Sequence, residues 1–179
     1  MKTRDMTMTG LFAALICILG PLSIVIPGTP VPISFTNLAI YLAVMAAGWK
    51  RGTISYLIYL LLGMVGLPVF SAFTGGVAKL AGPTGGYLVG FIFMALISGI
   101  AIDKSNGNMW LSILGMVIGT IVDYIFGTAW LCQQMNLTFV QGLFAGVIPY
   151  LPGDAIKIVI AVIVGKQARN AVKKMEASL

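Results

Sequence analysis

An all-α integral membrane protein, built as a bundle of six transmembrane helices, is the fold that the sequence predicts. Apolar residues make up 59% of the 179 residues, whereas charged residues make up only 9%. Soluble domains average about 25% charged residues, so this chain has too little polar surface to cover a soluble core. Six apolar runs follow one another, and a helix needs about 20 apolar residues to cross a bilayer. No Ser-rich, Pro-rich or charged linker divides the runs, so we expect a single membrane domain over residues 1–179.

The first three runs are separated by helix-breaking residues or by charge. Residues 6–26 form the first predicted helix, which "PGTPVPIS" ends because its prolines cannot continue a helix. The second predicted helix covers residues 34–49, and "KRG" separates it from the third, over residues 53–70. The glycine-rich segment "SAFTGGVAKLAGP" then leads to the second half of the chain.

The remaining three runs alternate with short polar turns. We predict helices over residues 84–102, 109–131 and 139–165, with "DKSNGN" and "CQQMNLT" as the turns between them. A basic amphipathic tail over residues 166–179 closes the chain. Six crossings place both termini on the same side of the membrane.

The basic residues give the orientation of the predicted helices. Lysine and arginine concentrate in cytoplasmic loops, and this bias sets the topology of a membrane protein. Nine of the basic residues fall on one side, which we therefore predict to be cytoplasmic; they are Lys2, Arg4, Lys50, Arg51, Lys104, Lys166, Arg169, Lys173 and Lys174. Only Lys79 falls in an outer loop. This asymmetry accounts for the net charge of +6 without a nucleic-acid partner.

Ionisable residues inside the apolar runs are the candidate ligand contacts. Asp154 and Lys157 share one helix face in "PGDAIK", just after Pro149 and Pro152 interrupt the sixth run. Charges in a membrane are costly and mark binding sites or partners, and a broken helix is tolerated where it lines a cavity. The Lys157 ammonium can pair with a substrate carboxylate, and Asp154 can accept N–H bonds from a polar ring, although the two can also merely neutralise each other. For Asp123, cavity lining and hydrogen bonding within the bundle both remain open.

The glycine-rich loop supplies a second set of candidate contacts. In "FTGGVAKLAGPTGGY", backbone groups of Gly75 and Gly76 can reach a ligand beside Thr74, and Tyr87 can stack on it. A plain flexible loop is the alternative. The loop lacks the G-K-[ST] of a phosphate-binding P-loop, so we do not expect ATP hydrolysis by this chain.

A strip of small residues on the first helix is a candidate contact with a partner helix. Small residues four apart let another helix approach closely, although they also serve ordinary packing within a bundle. The strip in "TGLFAALIC" consists of Thr9, Gly10, Ala13 and Ala14.

Four phrases together resemble the BioY family, the biotin-binding S components of energy-coupling factor (ECF) transporters. They are "PVPISFTNLAIYLA", "GLPVFSAFTGG", "GPTGGYLVGF" and "PGDAIK", in the family's order and over nearly the whole chain. The resemblance implies the six-helix S-component fold, with biotin bound near the outer face and Asp154 and Lys157 at its polar groups. Thr74 stands where the family often has asparagine.

The resemblance also implies partners. An S component captures its vitamin and requires a transmembrane T component and ATPase subunits, so no cofactor and no enzymatic activity are expected of this chain. The small-residue strip on the first helix would meet the T component. A proton-coupled carrier of another carboxylate, using Asp123 or Asp154, is the main alternative. An aspartyl hydrolase is disfavoured because Lys157 beside Asp154 opposes two carboxylates sharing a proton.

Overall fold

A computed structural model describes residues 3–24, 27, 29–106 and 108–177 of the chain. The described part is almost entirely helical, with one two-stranded antiparallel hairpin in which Ser23 pairs with Ser34. The elements in chain order are α1 Thr3–Leu19, β1 Ser23–Ile24, β2 Ile33–Ser34, α2 Thr36–Ala47, α3 Trp49–Met64, α4 Val77–Ala81, α5 Gly85–Lys104, α6 Met109–Met135, α7 Phe139–Gly146 and α8 Leu151–Ala177. The predicted all-α class is confirmed.

Within the described residues, three helical segments are long and apolar enough to cross a membrane. They are Gly85–Lys104, Met109–Met135 and Phe139–Met175, and Thr36–Ala47 is a shorter apolar helix. Helix α2 is the centre of the bundle, since nearly all of its residues are buried and it packs against α1, α3, α5 and α8. A helix that is apolar on every side is expected in such a position.

The first predicted helix is shorter than expected. Helix α1 ends at Leu19 instead of continuing over residues 20–26, and the chain turns at Gly20 into β1. Glycine is needed at this turn because a Cβ on Gly20 would lie only 2.7 Å from the carbonyl oxygen of Val69. Residues 25 and 26 of the predicted helix lie outside the described residues.

The break between the second and third helices lies before the basic pair. Gly48 has a φ of 84°, which separates α2 from α3, so Lys50 and Arg51 belong to the first turn of α3. Asp103, at the end of α5, accepts a hydrogen bond from the backbone N–H of Trp49 at 2.9 Å. Helix α3 then ends at Met64, before the predicted residue 70.

The sixth predicted helix is interrupted, as Pro149 and Pro152 indicated. Only Pro149 lies at the interruption. Helix α7 ends at Gly146, a 3-10 turn that contains Pro149 follows, and α8 begins at Leu151. Pro152 is tolerated in the first turn of α8 because its missing N–H would have no intrahelical acceptor there. Helix α8 continues past residue 165 to Ala177, so the predicted basic tail is part of the same helix.

Candidate ligand-binding cavity

A cavity lies at the end of the bundle that carries the β1–β2 hairpin, and we call it the hairpin-end cavity. Its walls bound about 620 Å³ of space, part of which is open to the surroundings. The hairpin strand β2 and helices α2, α3, α5, α6 and α8 all contribute to its wall. The lining residues are Val31, Pro32, Ile33, Ser34, Thr36, Asn37, Tyr59, Ser71, Thr84, Tyr87, Leu88, Phe91, Asp123, Tyr124, Gly146, Tyr150, Asp154 and Lys157.

Asp154 and Lys157 form a buried ion pair in the wall of this cavity. The Lys157 Nζ lies 3.0 Å from Asp154 Oδ1, and the two residues are only 6% and 8% exposed. The same ammonium donates a hydrogen bond of 2.7 Å to the backbone carbonyl oxygen of Ser34, on the hairpin. The restart of the helix at Leu151 therefore places this pair in the cavity, as the sequence predicted, and links α8 to the hairpin.

Two further side chains hold the Asp154 carboxylate. Asn37 of α2 donates through Nδ2 to Asp154 Oδ1 at 2.8 Å, and the Tyr124 hydroxyl of α6 donates to Oδ2 at 2.5 Å. Three elements that are far apart in sequence thus meet at one carboxylate. Neither Asn37 nor Tyr124 was predicted as a site residue, although an asparagine inside an apolar run is a signal that the sequence does contain.

The ion pair keeps some of its hydrogen-bonding capacity. A lysine ammonium has three N–H donors, and Lys157 uses two of them, on Ser34 and Asp154. A carboxylate offers about four acceptor positions, and Asp154 uses three, toward Asn37, Tyr124 and Lys157. One N–H donor of Lys157 and one acceptor position on Oδ2 of Asp154 therefore remain unused.

Asp123 lines the same cavity, which decides between the two roles left open for it. The residue is 3% exposed, and its Oδ1 is buried without a hydrogen-bond partner among the described residues. Gly90 of α5 packs directly against this carboxylate, where any larger residue would collide with it. A buried acceptor without a partner costs free energy, so a ligand donor that reaches it stabilises the complex.

Tyr87, which the sequence predicted as a contact, lines the cavity from the first turn of α5. Its hydroxyl donates to the carbonyl oxygen of Gly146 at 2.9 Å, and its ring lies against Gly127 of α6. Because a Cβ on Gly127 or Gly146 would overlap Tyr87, both glycines are needed for this close packing. With Phe91 it supplies an aromatic wall for an apolar part of a ligand.

The predicted contacts of the glycine-rich loop are not found in the wall of the cavity. Thr74 donates through its hydroxyl to the carbonyl oxygen of Ser71 at 2.8 Å, and it does not line the cavity. Gly75 lacks room for a Cβ because it lies against the backbone carbonyl of Leu67, and Gly76 has a φ of 91°. These residues shape the loop, whereas Ser71 and Thr84, at its two ends, line the cavity.

Lys79, which the sequence placed on the outer side, also lies away from the cavity wall. It belongs to the short helix α4 and is partly buried. Burial lowers the pKa of its ammonium below the usual lysine value, because desolvation disfavours the charged form. It is therefore not placed to bind a ligand carboxylate inside the hairpin-end cavity.

The small-residue strip of α1 is divided between two faces. Thr9 and Ala13 are buried inside the chain, and the carbonyl oxygen of Thr9 accepts a hydrogen bond of 2.9 Å from Ser55. Gly10 and Ala14 are exposed, and a Cβ on Gly10 would meet nothing within 4 Å. The prediction of a partner contact is thus corrected for Thr9 and Ala13, which are used in packing α1 onto α3.

Comparison with known proteins gives consistent matches over nearly the whole chain. The model of the BioY family matches residues 1–174. The biotin transporter BioY of Rhizobium etli is 39% identical, with 93% of each chain covered, and that of Thermotoga maritima is 35% identical, with 93% and 96% covered. A crystal structure of the S component for biotin from an ECF-type ABC transporter superposes with a TM-score of 0.87 at 32% identity, covering 94% of this chain and 92% of that one.

Proposed function

The chain belongs to the BioY family, and from this premise we propose that the hairpin-end cavity is where it binds biotin. The protein is a membrane transport protein, a biotin-capture S component, and not an enzyme. The observation that carries the site is a largely buried polar cluster in the wall of the cavity, formed by Asp154, Lys157, Asn37, Tyr124 and Asp123. Such a cluster is costly to bury and is typical of a ligand site.

The geometry revises the expectation that Lys157 binds the carboxylate of the ligand while Asp154 binds the N–H groups of its ring. Biotin carries its ureido group and its carboxylate at opposite ends, separated by the thiophane ring and a four-carbon chain. Asp154 and Lys157 lie only 3.0 Å apart, so they cannot serve the two ends of one extended ligand. The pair therefore acts as a unit at one end of biotin.

The charge of the cavity favours the ureido end. The one ammonium among the lining residues, Lys157, is already paired with the Asp154 carboxylate. A carboxylate brought by the ligand would add a second negative charge beside this neutralised pair at low dielectric, where like charges repel strongly. The uncharged ureido group avoids this repulsion.

The remaining hydrogen-bonding capacity matches a ureido group. One N–H of the ligand binds the open acceptor position of Asp154, and the Asp123 carboxyl group offers an acceptor for the other. The third N–H of Lys157 donates to the ureido carbonyl oxygen. Tyr87 and Phe91 then cover the thiophane ring, and the carboxylate points toward the mouth of the cavity, away from the polar cluster.

Energy coupling separates this function from a proton-coupled carrier. The test expresses the chain with a T component and ATPase subunits in cells that lack their own biotin uptake. It then measures how fast labelled biotin enters these cells. We expect uptake to fall when the ATPase is inactivated by substitution of its P-loop lysine. Undiminished uptake with the inactive ATPase, abolished by collapse of the proton gradient, would establish the carrier instead.

We propose that the protein lies in the cell membrane with both termini in the cytoplasm, as the distribution of basic residues indicates. The test uses a background in which the free cysteines Cys17 and Cys132 are replaced. A membrane-impermeant thiol reagent added to intact cells should label Gln134→Cys, near the end of α6, and should leave Lys174→Cys unlabelled. Labelling of Lys174→Cys before lysis would contradict this topology.

We propose that the exposed half of the α1 strip, Gly10 and Ala14, contacts the T component. Gly10→Leu and Ala14→Leu fill a surface that is open in this chain, so they should reduce co-purification with the T component while leaving biotin binding intact. Ala129→Leu adds similar bulk to an exposed position of α6 and is the matched control. If all three variants recovered the same amount of T component, this face of α1 would not contact the T component.

A further inference from the structure

A second cavity lies at the opposite end of the bundle, and we call it the basic cavity. It holds about 670 Å³ of space, part of which is open to the surroundings, between the α2–α3 turn, the end of α5 and the later part of α8. Lys157 and Lys173 are sixteen positions apart on α8, which at about 1.5 Å per residue separates the two cavities by roughly 24 Å. The lining residues are Ala46, Ala47, Gly48, Trp49, Lys50, Arg51, Asp103, Arg169, Val172 and Lys173.

The charges around the basic cavity do not balance. Asp103 pairs with Arg169 at 2.9 Å, and Asp5 pairs with Arg51 at 2.8 Å. Lys50 and Lys173 have no carboxylate partner among the described side chains. Their ammonium groups therefore face a common space that has room for an anion.

Arg169 gives the strongest indication that an acceptor belongs in this space. Its side chain is only 13% exposed, and one nitrogen, Nη2, donates to Asp103. The other terminal nitrogen, Nη1, is buried and has no hydrogen-bond partner among the described residues. Guanidinium groups bind phosphate through paired N–H donors, and a buried donor without an acceptor is destabilising.

The walls of the cavity indicate a lipid rather than a soluble anion. Ala46, Ala47 and Val172 contribute apolar surface next to the cations. The Trp49 ring lies beside them, 5.4 Å from the Lys50 Nζ, in the arrangement of an aromatic residue at a membrane interface. A phosphate carrying a glycerol and acyl chains meets both kinds of surface, whereas a free anion uses only the charges.

We propose that the basic cavity binds the phosphate group of an anionic phospholipid at the cytoplasmic side of the membrane. Lys50, Lys173 and the Arg169 guanidinium contact the phosphate, and the apolar walls contact the glycerol region. Basic pockets between transmembrane helices on this side are suited to such head groups. A phosphate bound between the α2–α3 turn and α8 would stabilise the contact between them, at the end of the bundle opposite the hairpin-end cavity.

The test compares the thermal stability of the purified full chain in lipid nanodiscs of phosphatidylcholine alone and with added phosphatidylglycerol. Phosphatidylglycerol should raise the melting temperature of the wild type by about 4 °C, because a ligand that binds only the folded state stabilises it. The double variant Lys50→Gln/Lys173→Gln should lose most of this rise. Its biotin binding should be unchanged, since the hairpin-end cavity is far away.

Matched controls separate the alternatives. Lys166→Gln/Lys174→Gln removes the same charge from the same side of the membrane, outside the cavity, and should keep the rise. An equal rise with inorganic phosphate in phosphatidylcholine nanodiscs would show a soluble-anion site and overturn the lipid assignment. An equal loss in both double variants would show a general charge effect. If phosphatidylglycerol left the melting temperature of the wild type unchanged and Lys50→Gln/Lys173→Gln lost T-component binding, the basic cavity would be a contact with the T component. Each of these three outcomes contradicts the proposal.

Discussion

Lys157→Ala is expected to weaken the binding of biotin and of biotin amide by the same amount, about 2 to 5 kcal/mol. The change removes one member of a buried, hydrogen-bonded ion pair and leaves the Asp154 carboxylate without its cation. It also removes the donor proposed for the ureido oxygen, which biotin and its amide share. Because the carboxylate of biotin points away from Lys157 in our account, replacing that carboxylate by an amide should matter little in either protein.

Calorimetric titration of the purified wild type and variant with both ligands measures this effect, and melting curves report whether the variant remains folded. Lys166→Ala is the matched control, since Lys166 lies farther along α8, is exposed and does not line the hairpin-end cavity. A wild type that strongly prefers biotin over its amide, with that preference lost in Lys157→Ala, would place the carboxylate on Lys157. That result would restore the simpler reading of the sequence and overturn the ureido assignment.

Gly127→Ala is expected to destabilise the fold by about 1 to 3 kcal/mol, the usual range for overpacking a core, and to abolish most biotin binding. The added methyl group would occupy the position of the Tyr87 ring, which is held between α5, α6 and the end of α7. Displacement of this ring breaks the hydrogen bond to Gly146 and moves one wall of the cavity. Stability and binding should therefore fall together.

Thermal unfolding and biotin titration of the same preparation test this prediction. Gly153→Ala is the matched control, because a Cβ there meets nothing within 4 Å and the glycine precedes Asp154 without lining the cavity. Alanine stabilises a helix by about 1 kcal/mol relative to glycine, so this variant should be as stable as the wild type or more so. Normal stability and binding by Gly127→Ala would show that Tyr87 is not fixed by close packing.

The helices were predictable because long apolar runs separated by glycine, proline or charge leave few other solutions in a chain with so few charged residues. The ends of the helices were not predictable, because they depend on tertiary contacts that the composition of a segment does not reveal. Gly20 turns the chain because the loop after α3 lies against it, and Gly48 separates α2 from α3 two residues before the basic pair that the sequence suggested as the break. Pro152 looks like a helix breaker in the sequence but occupies a helix start, where proline is tolerated.

The site was predictable where a residue was chemically out of place. Asp154 and Lys157 stand out in an apolar run, and they line the cavity. Asn37 and Tyr124 reach the same carboxylate from α2 and α6, and such convergence of distant segments cannot be read from spacing. The glycines at 75 and 76 were assigned to ligand contact because a glycine-rich loop exposes its backbone, whereas here they serve close packing and a turn.

One titration tests most directly whether the ion pair serves biotin or only the fold. The double variant Asp154→Asn/Lys157→Met replaces the pair by neutral residues of similar size, a change that is often neutral for stability because no buried charge is left unpaired. We expect it to fold with a melting temperature near that of the wild type and to show no measurable calorimetric binding of biotin. Biotin binding with wild-type affinity by this folded double variant would contradict the account.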